Sequence, residues 1–158
     1  MLAKNTEYAI RALVYIQLSN HENKRPGVIE IAREIEAPQA YMAKIMQVLT
    51  RHRIVNSRKG RGGGFHFTDG SDSPTLYEVI LIMEGDACFN KCAFGFMNCN
   101  HDNPCPLHDH YITIRENFRS VTRSETIGSI TQKILEGKAF LTSIPVGIES
   151  GLNSLQDE

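Results

Sequence analysis

All four cysteines of the chain fall in one short stretch, CFNKCAFGFMNCNHDNPCPLHDH (residues 88–110), with three of the six histidines. The spacing is Cys88-x3-Cys92-x6-Cys99-x5-Cys105-x2-His108. Thiolates are soft ligands, and four of them, or three plus an imidazole, suit zinc or an iron–sulfur cluster. Structural zinc sites pair their ligands two to four residues apart on tight turns. Only Cys88–Cys92 and Cys105–His108 come close to that. Wide gaps in a Gly- and Asn-rich loop fit cluster ligation better, because the thiolates must wrap a larger body, and Cys105-Pro106 matches the dipeptide that closes ferredoxin cysteine runs. Redox thiols or a regulatory disulfide are the other readings. No nucleophile elbow or Cys-His-Asn context surrounds any of the thiols, so an enzyme is not expected.

The thiols must be positioned by something, and the charge distribution separates two halves. Residues 1–70 hold eleven Lys or Arg against six Asp or Glu, while residues 71–158 hold six against twelve. A basic half suits a polyanion, and the cysteines lie in the acidic one. No apolar run is long enough to span a bilayer. The N-terminal stretch MLAKNTEYAIRALVYIQL is interrupted by Glu7 and Arg11 and lacks a cleavage site, so it is not read as a signal peptide. A cytoplasmic chain with reduced thiols and no membrane partner is expected.

Tyr8, Ala9, Ala12, Leu13 and Ile16 recur at helical spacing and predict a buried-face helix over 5–19. VIEIAREI predicts a short helix with Ile29, Ile31, Ala32 and Ile35 as its apolar positions, broken at Ala37-Pro38. Residues 38–52 predict a second helix, with Met42, Ile45, Met46 and Leu49 on one face. Short helix, tight turn and longer helix is the outline of a helix-turn-helix. RIVNSRKGRGGGFHFTDG then reads as strand, glycine tip, strand, opened by Ile54 and Val55, with Phe65 and Phe67 at a period of two. Gly60, Gly62, Gly63 and Gly64 permit close approach to another surface. The ending of a nucleotide-binding P-loop is absent. A glycine hairpin bearing arginines beside a helix-turn-helix is a winged helix, its tip along the sugar-phosphate backbone or in the minor groove.

Gln39, Ala40, Tyr41 and Lys44 are the candidates for reading bases: Gln pairs with adenine, Lys donates to guanine and Ala touches a thymine methyl. Arg51, Arg58, Lys59 and Arg61, with Gly63 in the wing, are the candidates for the phosphate backbone.

Beyond the wing, Thr75 and Glu78 form a Thr-x-x-Glu capping box for the helix LYEVILIME, which buries Leu76, Val79, Ile80 and Met83 and ends near Gly85. Pro106 is read as the first position of a long helix striped by Leu107, Tyr111, Ile114, Phe118 and Val121, with a short helix around 126–130 after it. The expected fold is mostly α with a small β-hairpin wing: a winged helix-turn-helix plus a long C-terminal dimerisation helix. Its segments are a DNA-binding domain at 1–70, a connecting helix at 71–87, a cysteine-rich ligand loop at 88–105, the dimerisation helix and following short helix at 106–136, and a flexible tail at 137–158. A homodimer would meet a palindromic double-stranded operator at half-sites about 34–36 Å apart.

Glu7-Tyr8-Ala9, the Ile31-Ala32 helix, Tyr41-Met42, the Ser57–Phe65 wing, Glu78-Val79-Ile80 and Cys105-Pro106-Leu107-His108 together resemble the Rrf-two family of bacterial regulators, from residue 1 to about 135. The resemblance implies a dimeric winged-helix repressor or activator. In its sensing members it implies an iron–sulfur cluster, responsive to redox, iron or nitric oxide status, in the loop before the long helix; other members keep the fold without one. Position by position, Cys92, Cys99 and Cys105 take the places of the family's three cysteine ligands, and His108 that of a histidine ligand. The Cys92–Cys99 gap is one residue longer than the family pattern. Cys88 is an additional thiol that could supply the fourth ligand in place of His108, and Lys59 and Arg61 stand where Arg and Pro are usual. Tyr8 lies in the region where some members supply an aspartate ligand. The cluster is left open between 2Fe–2S and 4Fe–4S, with zinc as the alternative. The competing functions are a cluster-free regulator answering to a small molecule or partner protein, and a zinc-stabilised structural module.

Overall fold

The helical spacing of Ala9, Ala12, Leu13 and Ile16 produces α1, Lys4–His21, and these side chains with Val14 are fully buried. In the computed structural model, which describes residues 2–68 and 70–141, α1 is the helix on which the others are laid. It packs against α2 (Val28–Glu34), α3 (Gln39–Arg51), α4 (Leu76–Glu84) and α7 (Ile127–Leu135). Ile31, Ala32 and Ile35, then Met42, Ile45, Met46 and Leu49, then Val79 and Ile127 complete one core that draws on both halves of the chain. Ile29, expected on the buried face of α2, is instead 64 % exposed. With only two turns, α2 turns the face carrying 31, 32 and 35 inward, and residue 29 falls on the opposite side.

The first three helices stop without glycine. Asn23, Glu36 and Arg53 adopt φ of 59°, 54° and 59°, and the N–H groups of Lys24, Ala37 and Ile54 then reach back to the carbonyls of Ser19, Ala32 and Leu49. That is the left-handed Schellman ending, built here on Asn23, which adopts it readily, and on Glu36 and Arg53, which disfavour it.

The wing is the antiparallel pair β1 (Asn56–Arg58) and β2 (Gly64–His66), with Ser57 opposite Phe65. Ile54 and Val55 lie just before β1 rather than opening it, because Val55 is drawn into the core. Backbone and side-chain bonds weld the base of the wing to the α1–α2 loop: Phe65 N–H donates to the Pro26 carbonyl (2.9 Å), and Phe67 N–H to Asn20 Oδ1 (3.0 Å).

α4 opens with the expected capping box, Thr75 Oγ1 accepting from Glu78 N–H and Glu78 accepting from Thr75 N–H, and ends at Gly85 with φ 75°. The next segment is not all loop. Ala87–Asn90 form a short helix, α5, which carries Cys88 and buries Phe89. The long helix α6, His108–Ser124, begins two residues later than the sequence suggests, with Pro106 and Leu107 outside it. Tyr111 and Phe118 are half-buried against the rest of the chain. Leu107, Ile114 and Val121, seven residues apart, remain 45–54 % exposed. α7 opens with a second capping box, Thr126 with Ser129. The two boxes touch: Leu76 N–H donates to the Glu125 carbonyl and Ile127 N–H to that of Pro74, both at 2.9 Å. Leu141 packs on the core. The rest of the expected tail, 142–158, lies outside the described residues. No helix among the described residues is long and apolar enough to cross a membrane.

Gly64 is the most constrained point of the wing. Its φ is 144°, and a Cβ there would sit 2.1 Å from the Arg25 carbonyl oxygen. Gly60, at the tip, has φ 88° with open space around it. Gly64→Ala is expected to cost more than about 3 kcal/mol in urea unfolding, whereas Gly60→Ala costs about 1 kcal/mol. Equal effects would show that the wing base is not held against the α1–α2 loop.

Candidate metal centre and nucleic-acid interface

The fold brings Cys92, Cys99 and Cys105 together, their sulfurs all within 4.8 Å of one another. Cys105 is buried and the other two are half-buried. His108, at the first position of α6, joins them from the side: it is 8 % exposed, and its Nδ1 lies 3.1 Å from Cys99 Sγ. Cys105 N–H also points at Cys99 Sγ, at 3.4 Å. Cys88 is not in this group. It sits on α5, where burial and the Glu84 carboxylate push its thiol up. Of the two side chains considered for a fourth place, His108 is therefore beside the three thiols and Cys88 is not.

The thiols are not equivalent. Burial would raise the pKa of Cys92, but the backbone N–H groups of Phe96 and Phe94, together with Cys105 and Cys99, stabilise its thiolate and bring it down to about 7. Burial, and the neighbouring Cys92, push Cys105 the other way. One sulfur is thus poised to be anionic while another is kept protonated, as expected where three thiols share one small space.

Three sulfurs and an imidazole form a donor set that suits an iron–sulfur cluster or zinc. The space they enclose with Tyr111 and Arg115 is about 10 Å³, comparable to one water. Thiolates on a single tetrahedral ion lie about 3.8 Å apart, given metal–sulfur bonds of about 2.3 Å, so the present spacing fits one ion directly. A cluster needs the intervening chain to move outward. Residues 93, 94, 95, 96, 97 and 98 between Cys92 and Cys99 are all exposed, with Gly95 at φ 72°.

Two arginines of α6 hold the entry to this loop. Arg115 Nη1 donates to the carbonyls of Asn90 (2.8 Å) and Lys91 (3.1 Å), immediately before Cys92. Arg119 Nη2 donates to the Phe89 carbonyl (3.1 Å) and to Asn90 Oδ1 (3.0 Å). They satisfy orphan carbonyls at the C-terminus of α5 and lay positive charge against them. Arg115 also lines the thiol pocket. Sequence reading missed both, since a basic residue on a helix face gives no sign of which carbonyls it meets.

Gln39, Ala40, Tyr41 and Lys44 lie in the first turns of α3 and are all exposed, while Met42, Ile45, Met46 and Leu49 on its other face are buried. Arg51, Arg58, Lys59 and Arg61 are exposed as well. Gly63 is different: it closes the wing turn through its N–H to the Gly60 carbonyl (2.9 Å), and a Cβ there would lie 2.2 Å from the Arg58 carbonyl oxygen. A groove of about 550 Å³ separates α3 from the wing, lined by Gln47, Thr50, Arg51 and Ser57 among others. Lys24 and Arg25 extend the basic surface beside the wing, lining a cavity with Gly62, Gly63 and His66. Nothing local in the sequence shows that residues 24 and 25 meet residues 62–66.

In the reduced, metal-free protein, Cys92 is expected to be alkylated first by iodoacetamide at pH 7.5, ahead of Cys88 and Cys105. Its rate should fall about tenfold at pH 6, as the thiolate fraction drops below a pKa of about 7. Peptide mass mapping reads the order, and Cys88 reacting first would contradict this charge distribution.

Among relatives, the repressor NsrR of Streptomyces coelicolor is 29 % identical over 106 residues, 67 % of each chain. The regulator IscR of Sodalis glossinidius is 25 % identical over 133 residues, covering 81 % of this chain and 79 % of its own. Among solved structures, the global cysteine regulator CymR of B. subtilis superposes with a TM-score of 0.67 at 18 % identity, over 84 % of this chain and 96 % of that one. All three are named as regulators, and CymR shares the mostly helical, hairpin-bearing fold seen here. The sequence profile of the Rrf2 family, described as iron-dependent transcriptional regulators, matches residues 2–133, and the chain belongs to that family.

Proposed function

We propose that this transcriptional regulator acts as a homodimer on a palindromic operator and senses redox, iron or nitric oxide status through an iron–sulfur cluster held by Cys92, Cys99, Cys105 and His108. The observation that carries the reading is the convergence of three thiols and a buried imidazole at the start of α6. Such a cluster, when bound, supplies a redox- and oxidant-sensitive group. The chain's own residues do the rest. His108 begins α6, and Arg115 and Arg119 tie α6 to the carbonyls just before Cys92, so a change at the ligands is borne directly by that helix. Leu107, just before α6, and Ile114 and Val121 on it leave an exposed apolar stripe for a second copy. If two arrangements of the loop hold α6 differently, they set the spacing of two recognition helices differently, and affinity for DNA shifts by the difference in ligand binding to the two states. Bases are met by Gln39, Ala40, Tyr41 and Lys44, and phosphates by Arg51, Arg58, Lys59 and Arg61. Gly63 serves by shaping the wing.

A second reading has one observation in its favour. The close spacing of the sulfurs fits a single zinc ion, which would make the centre structural.

Anaerobic reconstitution with iron and sulfide separates the two. A cluster gives a brown protein with equivalent iron and sulfide and a DNA affinity that changes on loading. The Cys92/Cys99/Cys105 triple Ala variant should lose both colour and response; a variant that kept them would end the proposal. On the DNA side, Arg58→Ala with Arg61→Ala should flatten the log–log salt dependence of operator binding by about one or two units per protomer. An unchanged slope would place the wing off the DNA.

A further inference from the structure

His108 touches the thiol group through Cys99 and belongs to a second group of ligand atoms. Besides the thiols, it lies with His101 and Asp109 in a second set whose ligand atoms are all within 4.8 Å of one another. The His101 ring meets the His108 ring edge-on, with centroids 5.1 Å apart. The His108 side chain is more than nine-tenths buried, and its two nitrogens differ. Nδ1 is on Cys99 Sγ, while Nε2 has no hydrogen-bond partner among the described residues. A buried ring nitrogen without a partner is costly, and a metal ion is one of the few things that satisfies it. His101 and Asp109 are both exposed, so the set is open to solvent on its outer side.

We propose that His101, His108 and Asp109 form a second divalent-cation site, distinct from the three thiols and sharing only the His108 ring with them. Two imidazoles and a carboxylate suit zinc, or iron, cobalt or nickel in its divalent form, with the remaining positions filled by water. Nε2 is the His108 atom assigned to this ion.

The sharing has a chemical consequence, resting on the reading that His108 completes the thiol centre. A neutral imidazole has one nitrogen lone pair to give and one N–H. When Nε2 ligates the second ion, Nδ1 carries the proton and donates it to Cys99 Sγ. When Nδ1 ligates at the thiol centre, Nε2 carries the proton and the second ion loses a ligand. The two centres therefore compete for one residue, and a divalent cation at the outer site leaves the thiols with three protein ligands rather than four.

The site itself is tested without the thiol centre. The untagged full-length chain with Cys92, Cys99 and Cys105 replaced by Ala is titrated with Co2+ and with Zn2+ by calorimetry, its fold followed by circular dichroism. One equivalent is expected, lost on adding His101→Ala or Asp109→Asn; both side chains are exposed, so these changes leave the core intact. Should the triple-Ala chain not fold, zinc is counted on the chain with its cysteines present, where His101→Ala is expected to lower the stoichiometry from two to one. Nitrogen-15 spectra of His108 then report the tautomer, with Nδ1 protonated when the outer site is filled. Either a folded triple-Ala chain that takes up no Co2+ or Zn2+, or a zinc count that His101→Ala leaves unchanged, overturns the proposal. Failure of cluster reconstitution alone would bear on the function proposed above and not on this site.

Discussion

The burial of α1 is the constraint from which the rest of the molecule follows. Ala9, Ala12, Leu13, Val14 and Ile16 are out of water altogether, and the helices that cover them come from both the basic N-terminal half and the C-terminal half. Burial of each larger side chain, Leu13, Val14 and Ile16, contributes about 1.5–3 kcal/mol, and of each alanine methyl less. Surface ion pairs such as Lys4–Glu7 or Lys24–Glu22, with both partners largely exposed, contribute about 0–1 kcal/mol and do not decide the arrangement. Because α3 and α4 rest on the same helix, the exposed face of α3 and the approach to the thiol loop are fixed relative to one another by packing.

Much of this was legible from residue order alone. The helices of the core announce themselves by period, the wing by its glycines and cations, and α4 by its Thr75–Glu78 box. What was not legible depends on contacts distant in sequence. Ile29 and Ile31 are the same residue type, and only the direction of the core tells them apart. Helix ends at Asn23, Glu36 and Arg53 carry no glycine signal, because tertiary packing holds these residues in the left-handed region. Cys88 and Cys92 look equivalent in a string of letters, but α5 carries the first away from the pocket that holds the second. The resemblance to the family placed Cys92, Cys99, Cys105 and His108 in register. It gave no hint of His101, which the loop folds back onto His108, or of Asp109, its neighbour at the start of α6.

The arginines of α6 link the chemistry to the architecture. Charge-assisted bonds to carbonyls contribute more than neutral ones, about 1.5–3 kcal/mol each where partly buried. Arg115 and Arg119 together address Phe89, Asn90 and Lys91, the three residues before the first pocket cysteine. The loop is therefore anchored at its entry by arginine side chains and at its exit by His108 itself. Everything between, including exposed Phe94, Phe96 and Met97, is free of such ties among the described residues. Rigidity is concentrated at the two points where the ligand loop meets helices.

The contact between the two capping boxes bears on how such a chain can vary. Pro74 and Thr75 lie beside Glu125, Thr126 and Ile127, so the chain leaves on its way to the cysteines and returns from them through one doorway two hydrogen bonds wide. The fifty residues between these points form a closed excursion whose ends are already joined, and lengthening it costs little further closure entropy. A residue inserted between Cys92 and Cys99 is absorbed inside the excursion without disturbing α1 or the helices packed on it. A protein arranged in this way can exchange what it senses while keeping what it reads.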